Sequence, residues 1–370
     1  MEAAFDIADD LGPSRIIHVH EPSIGLRGTL VVDNVATGPS IGGLRMAPDV
    51  STEECFRLAR AMTLKNAAAG LPHGGGKSVL YGDPAMPRAE KENLIRAMAC
   101  ALGDCRDYIF GPDMGTDEGC MACVKAEIGR AVGLPREIGG IPLDEIGATG
   151  FGLACATEVA TGFCDLELAG ARVAIQGFGA VGIHSARFLA ERGAVIVAAS
   201  DSKGGTHRPE GIDVAELVEH KRSGKSVADY AAGESIEGES LVDVDCEIWV
   251  PAARPDVLRA DNVDRLRAKL VVSGANIPAT EEAERRLHER GILNVPDFIA
   301  NAGGVICASV EYHGGNESQA LASIEEKIRA NTEAVLEGAR RRGVLPRRAA
   351  FDLAVERVRR AMGYRRWSIF

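Results

Sequence analysis

No stretch of the 370-residue chain is apolar for long enough to cross a membrane as a helix, which takes about 20 consecutive apolar residues. Positive charge is in short supply. The 42 Lys and Arg against 53 Asp and Glu leave a net charge of −11, which argues against a nucleic-acid or anionic-membrane partner. Tandem repeats and low-complexity tracts are also missing. The opening Met1-Glu2-Ala3-Ala4-Phe5-Asp6 lacks the basic-then-apolar form of a secretory signal, so a cytoplasmic location is expected. What is present is a soluble globular composition, 46% hydrophobic and 26% charged, in a chain too long for one ordinary core. Two domains are the expectation.

Nine cysteines suit a reducing compartment as free thiols. Cys120 and Cys123 form Cys-x-x-Cys with Cys100 and Cys105 nearby, which raises a zinc or redox site. All four fall in helix-like segments at apolar positions, so small buried hydrophobes are expected and no metal.

The most informative stretch runs from Ser51 to Lys77. Ser51-Thr52-Glu53-Glu54 has the form of a capping box and predicts a helix start. Cys55, Leu58, Met62, Lys65 and Asn66 then recur at spacings of three and four, placing Lys65 on the apolar face. A buried ammonium is costly unless an anion meets it, and that anion can be a ligand. Gly70 and Pro72 stop the helix, and Gly74-Gly75-Gly76 would let backbone approach a ligand beside Lys77. The bland alternative is a snorkelling Lys65 and a surface-turn Lys77. A phosphate loop ending in Gly76-Lys77-Ser78 fits poorly, because Gly70 to Gly76 encloses five residues and follows a helix rather than a strand.

Strands are predicted over 15–20 and 28–35, then a turn-rich Gly38 to Met46 with Ile41-Gly42-Gly43 inside it. A short strand over 78–81, a helix over 90–102 and a strand over 107–110 follow. Asp113 stands between Pro112 and Met114-Gly115, where a turn-forming role is the simplest reading. Gly133 to Gly147, rich in Gly and Pro, marks a domain boundary.

From Ala171 the rhythm becomes strand, turn, helix. Val173 to Gln176 leads into Gly177-Phe178-Gly179-Ala180-Val181-Gly182, a helix follows, and the next strand ends at Asp201. This is the dinucleotide fingerprint with its context, in which glycines admit a pyrophosphate to the amide groups at a helix N-terminus. Asp201 can accept from ribose hydroxyls and repel a 2'-phosphate, so NAD is expected over NADP, although Lys203 is close by. Further strands at 246–250, 269–273 and 292–295 alternate with helices, as a parallel sheet requires. A long helix is predicted over 318–341. The basic end of the chain, including Arg347, Arg348, Arg357, Arg359, Arg360, Arg365 and Arg366, reads as an amphipathic helix with a solvated basic face more readily than as a nucleic-acid arm.

Taken together, Gly42-Gly43-Leu44-Arg45, Met62-Thr63-Leu64-Lys65-Asn66, Gly74-Gly75-Gly76-Lys77, Pro112-Asp113-Met114-Gly115-Thr116, Ala148-Thr149-Gly150, the fingerprint at Gly177, Gly274-Ala275-Asn276 and Asn301-Ala302-Gly303-Gly304 resemble the glutamate/leucine/phenylalanine/valine dehydrogenases. The resemblance covers nearly the whole chain and lies nearer the leucine/phenylalanine/valine branch. It implies an α/β fold, with an amino-terminal α/β substrate and oligomerisation domain over 1–140 and a Rossmann-type NAD-binding domain over 141–329, a cleft between them. Carboxy-terminal helices over 330–370 would pack back on the first domain.

The implied activity is reversible NAD-dependent oxidative deamination of an L-amino acid to the 2-oxo acid and ammonia, by a homo-oligomer. Lys65 resembles the lysine that holds the substrate α-carboxylate, Lys77 the catalytic lysine and Asp113 the catalytic acid/base. Gly42, Gly43, Met62, Ile41, Asn276, Val305 and Ala308 would line the substrate site. Thr149, the fingerprint residues, Asp201, Ala252, Asn276 and Asn301 would hold the cofactor.

Glutamate-specific members resemble Lys-Gly-Gly-[Ile/Val]-Arg at the first glycine motif and carry a serine beyond Asn-Ala-Gly-Gly-Val. Here those positions are Ile41 and Ala308, with Ser309 beside the latter. Leaving glutamate's side-chain carboxylate unpaired there costs several kcal/mol, so an apolar, branched or aromatic amino acid is expected. Glutamate dehydrogenase is the alternative within the class. A catalytically inactive nucleotide-binding regulator is the alternative outside it, disfavoured because nucleotide binding alone needs none of Lys65, Lys77 and Asp113.

Overall fold

The computed structural model describes residues 7–364. The signal-sequence reading of Met1 to Asp6, and Arg365 and Arg366, lie outside the described residues. The chain forms two compact units. The first runs to Pro142 and takes in Val305–Ala320 and the chain from Phe351; the second comprises Leu143–Gly304 and Leu321–Ala350.

The first unit contains β1 (Arg15–Glu21), β2 (Leu26–Asn34), β3 (Ser40–Ala47), α1 (Thr52–Ala68), β4 (Gly74–Tyr81), α2 (Arg88–Ala101), β5 (Tyr108–Pro112) and α3 (Glu118–Ile128). Its sheet has the order β1-β2-β4-β3-β5, antiparallel across the first two pairings and parallel across the last two. Alternation along the strands separates two faces. Leu30, Val32, Leu44, Met46 and Leu80 pack with Leu94, Ile95 and Met98 of α2 and Met121 and Val124 of α3. On the other face Val31, Ala47 and Val79 meet Cys55 and Ala59 of α1.

The α1 helix begins as expected, with Ser51 Oγ accepting the Glu54 N–H at 3.1 Å. Its buried stripe is Cys55, Ala59, Thr63 and Asn66, which leaves Leu58, Met62 and Lys65 half-buried on the flank. Both glycine-rich segments depart from expectation. Gly38 to Met46 is mostly the buried strand β3, and Gly74-Gly75-Gly76-Lys77 opens the buried strand β4. The glycines are required by packing within the protein. A Cβ on Gly75 would stand 2.0 Å from the Thr63 backbone nitrogen of α1, so only a bare backbone lets the helix lie this close.

The second unit contains α4 (Ala148–Thr161), β6 (Arg172–Gln176), α5 (Ala180–Glu191), β7 (Val195–Asp201), β8 (Gly204–His207), α6 (Val214–Arg222), β9 (Glu234–Ile236), β10 (Ile248–Pro251), β11 (Leu270–Val272), α7 (Glu281–Glu289), β12 (Leu293–Val295) and α8 (Asp297–Ala300). Its sheet runs β12-β11-β10-β6-β7-β8-β9. The five strands from β12 to β7 are parallel, as expected, but β8 and β9 extend the edge antiparallel. The connection from β7 to β8 is only Ser202-Lys203, too short for the crossover a parallel strand needs.

The chain ends with α9 (Gly303–Tyr312), α10 (Glu317–Arg342) and α11 (Pro346–Met362). The helical reading of the basic segment holds, with Ala350, Ala354 and Val358 buried and Arg348, Arg359 and Arg360 exposed. Two of its arginines are structural. Arg347 bridges the buried carboxylates of Glu284 and Asp297, and Arg357 caps the last carbonyls of α1 at Ala67 and Ala68. Cys105 and Cys120 belong to the first unit's core and Cys123 packs against it, whereas Cys100 is exposed on α2, contrary to the buried reading. All nine cysteines are free thiols. Among the described residues no helix is long and apolar enough to cross a membrane, and no cluster of three His, Cys, Asp or Glu is placed to hold a metal ion.

Candidate active site

Lys77 and Asp113 are brought together by strand alternation. Lys77 shares the α1 side of β4 with Gly75 and Val79, its side chain is 7% exposed, and Nζ lies 2.6 Å from Asp113 Oδ2. Asp113 stands just past the end of β5 in a turn closed by Thr116, whose Oγ1 accepts the Asp113 N–H at 3.0 Å and donates to the Leu44 carbonyl at 2.8 Å. The turn-forming role expected of Asp113 thus holds, and the same side chain also meets Lys77. Gly43 makes room for the pair: a Cβ there would stand 2.7 Å from Asp113 Cβ and 3.2 Å from Lys77 Nζ. Arg45 Nε also meets Asp113 Oδ2, at 3.0 Å, while its Nη1 meets Glu54 Oε1 at 2.6 Å. Burial acts to raise the Asp113 carboxyl, but Lys77 and then Arg45 outweigh it and hold the group below its ordinary range. The result is an ionised carboxylate against an ammonium in a largely dry setting, an arrangement suited to proton transfer.

Ile41 and Ala308 share a buried apolar cluster with Ile109 and Val132. Met62, Lys65 and Val305 are half-buried and lie outside that cluster. The Gly42 carbonyl accepts the Tyr108 hydroxyl at 2.7 Å.

In the second unit a pocket of about 780 Å³ opens at the carboxyl ends of β6, β7 and β10. Strand order reverses there between β7 and β10, the switch point where open α/β sheets take ligands. Gly177, Phe178, Gly179, Asp201 and Ala252 line it, together with Lys203, Lys221 and Arg254. The glycines divide their work. A Cβ on Gly182 would stand 1.9 Å from the Gly177 carbonyl, so Gly182 serves the packing of α5, whereas a Cβ on Gly179 would meet nothing within 4 Å. Gly179 precedes Ala180 and Val181 in the first turn of α5, whose N-terminus has no side-chain cap. Bare backbone facing open space at an uncapped helix N-terminus fits a dinucleotide pyrophosphate.

Asp201 is more committed than its place in the sequence implies. Its carboxylate accepts from Lys221 Nζ at 2.5 Å, Ser226 Oγ at 2.8 Å, and the N–H groups of Lys203 and Val227 at 2.9 and 3.1 Å. Burial opposes ionisation, and these donors overcome it to bring the carboxyl down to about 2. Ribose hydroxyls must therefore compete for an acceptor already engaged within the protein. Asn301 is 5% exposed and donates to Asn276 Oδ1 at 2.9 Å. Thr149 stands in the first turn of α4, and a Cβ on Gly304 would lie 3.5 Å from its Oγ1. Thr149, Asn276 and Asn301 are not among the residues lining the pocket at Asp201.

Two family models match the chain: "Glu/Leu/Phe/Val dehydrogenase, dimerisation domain" over residues 13–130 and "Glutamate/Leucine/Phenylalanine/Valine dehydrogenase" over residues 139–366. The chain belongs to this family. It is an amino acid dehydrogenase, an oxidoreductase. Among its relatives, the glutamate dehydrogenase of Aeropyrum pernix is 40% identical over 90% of this chain and 85% of its own length. The NAD-specific glutamate dehydrogenase of Staphylococcus aureus is 36% identical over 90% of this chain and 85% of its own. Among solved structures, the hetero-hexameric glutamate dehydrogenase of Thermus thermophilus in its Leu-bound form superposes with a TM-score of 0.83 at 30% identity, covering 94% of this chain and 89% of that one.

Three engaged residues of this dehydrogenase have no role that can be read along the chain. Arg45 stands inside the first glycine motif, but nothing near it announces Asp113 as its partner. Lys221 and Ser226 carry no signal at all, because what matters about them is their distance to Asp201.

Proposed function

We propose that this amino acid dehydrogenase catalyses reversible oxidative deamination of an L-amino acid, with Lys77 and Asp113 moving the protons and Lys65 holding the α-carboxylate. The observation that carries the reading is the pair of buried Lys77 and half-buried Asp113 at 2.6 Å, beside the space left by Gly43. Bound nicotinamide would supply the hydride acceptor, and Gly177, Gly179 and the first turn of α5 would hold the pyrophosphate.

Glutamate is the substrate that the names of the relatives favour, over the apolar amino acid expected from sequence. The apolar reading keeps one specific observation in its support. Ile41 and Ala308, at the positions resembling the glutamate side-chain ligands, pack together in a buried apolar cluster with Ile109 and Val132. Steady-state assay with glutamate, leucine, phenylalanine and tryptophan separates the two. If glutamate has the highest kcat/KM, the apolar reading falls. If an apolar amino acid leads, Ile41→Lys with Ala308→Ser moves the preference toward glutamate by providing its carboxylate with partners. No turnover with any of them points to the inactive, regulatory alternative.

NAD is the proposed cofactor, in keeping with the name of the Staphylococcus aureus relative and with the negative Asp201 in the pocket. The expected result is a higher kcat/KM with NAD than with NADP. A preference for NADP overturns this assignment and points to Lys203, which lines the same pocket. A cytoplasmic homo-oligomer is proposed as its working form, since the amino-terminal match is to a dimerisation domain.

A further inference from the structure

Asp113 carries two cations on one oxygen, and only one of them is free of other duties in the reaction. If Lys77 serves the substrate, it must at some stage turn from Asp113 Oδ2, leaving a carboxylate in a mostly buried place. Arg45 stays. It sits on β3 in register with Val79 of β4, hence on the same face as Lys77, and α1 covers that face with Glu54 in its first turn. One planar guanidinium thus spans Asp113 through Nε at 3.0 Å and Glu54 through Nη1 at 2.6 Å. Arg45 of β3, Lys77 of β4, Asp113 in the turn after β5 and Glu54 of α1 form a group of two cations and two anions.

We propose that Arg45, anchored by Glu54, is a positioning residue that holds Asp113 through Oδ2 and keeps it paired when Lys77 turns to the substrate. The inference rests on the reading of Asp113 as acid/base. Arginine suits this role in two ways. Its charge persists at all working pH, and its fork holds two anions in one fixed orientation, which a lysine cannot do. Tyr108, which faces Asp113, and Cys55, which faces Lys77, Glu54 and Arg45, add no charge. Burial pushes the Tyr108 phenol well above its ordinary value and the Cys55 thiol up to about 12, so both stay neutral.

The pH profile of kcat/KM for Arg45→Met, Arg45→Lys and Glu54→Gln tests the proposal. A cation within about 4–6 Å lowers a carboxyl by about 1–3 pH units, so Arg45→Met should move the acid limb upward by about one pH unit or more. The sign follows from Asp113 being held low: without Arg45 it ionises only at higher pH, and activity on the acid side goes first. Arg45→Lys should recover a large part of that displacement. Glu54→Gln removes an anion but leaves a carbonyl oxygen to accept from Arg45 Nη1, so Arg45 stays in place and the acid limb should stay or move down. A role confined to packing would instead lower activity evenly across pH, or move Arg45→Met and Glu54→Gln in the same upward direction, and either result overturns the proposal. Infrared difference titration of wild type against Asp113→Asn reads the Asp113 carboxyl without turnover. Loss of the Arg45 effect in that titration sinks the proposal, whereas full activity in Asp113→Asn sinks only the acid/base reading. If Arg45→Met fails to fold, Arg45→Lys still decides, since it must show a smaller upward displacement by both measures.

Discussion

Turnover by Lys77→Ala and by Asp113→Asn should each fall by about 10²–10⁴-fold, the usual contribution of a positioned acid/base group. The two residues meet at 2.6 Å on the first unit's sheet, where Gly43 leaves room beside them. Asparagine keeps the shape of Asp113 but loses both its capacity to accept a proton and its charge against Lys77 and Arg45, so a fold that stays intact while turnover falls separates the effect from packing. Dinucleotide affinity should survive both changes, because the fingerprint glycines and the Asp201 pocket belong to the second unit. Stopped-assay turnover together with calorimetric titration of NAD checks both halves. Near-normal turnover in either variant removes that residue from the catalytic assignment.

The second large effect concerns stability. Overpacking a filled core costs about 1–3 kcal/mol and sometimes more. Gly75→Ala should reach or exceed the top of that range, because the atom its Cβ meets at 2.0 Å is the Thr63 backbone nitrogen inside α1, which has no rotamer to escape into. Gly179→Ala is the matching control. Its Cβ meets nothing within 4 Å and its φ of −94° suits alanine, so the fold should tolerate it while dinucleotide binding weakens. Urea midpoints for both variants and NAD titration of the second test the pair. A Gly75→Ala variant as stable as wild type contradicts the close packing of α1 on β4, and undiminished NAD binding by Gly179→Ala contradicts the placement of the pyrophosphate.

These two glycines also show where reading along the chain stops. Gly74-Gly75-Gly76 and Gly177-Phe178-Gly179 look alike as strings, and both read as backbone left bare for a ligand. Gly179 does face open space at an uncapped helix N-terminus, and the strand before it and the helix after it are local features. Gly75 answers to α1, a helix whose approach is set by how two elements pack. The same division runs through the charged residues. Asp201 reads as a ribose acceptor from its place at the end of a strand, but Lys221 and Ser226, 20 and 25 residues further on, occupy it. Asp113 reads as a turn residue, while its two cations come from different strands.

Features that depend on near neighbours are legible along the chain: the Ser51 cap, the helix it starts, the glycine turn before α5, the amphipathic α11 and the two-part α/β organisation. Periodicity, capping and turn chemistry act over a few residues, so they are legible in order along the chain. Packing in three dimensions makes the glycine-rich segments central strands, turns β8 and β9 back antiparallel, and gathers Arg45, Glu54, Lys77 and Asp113 into one group. Those outcomes turn on which face of a strand meets which helix and at what distance, and electrostatic coupling falls off over a few ångströms of space whatever the separation in sequence.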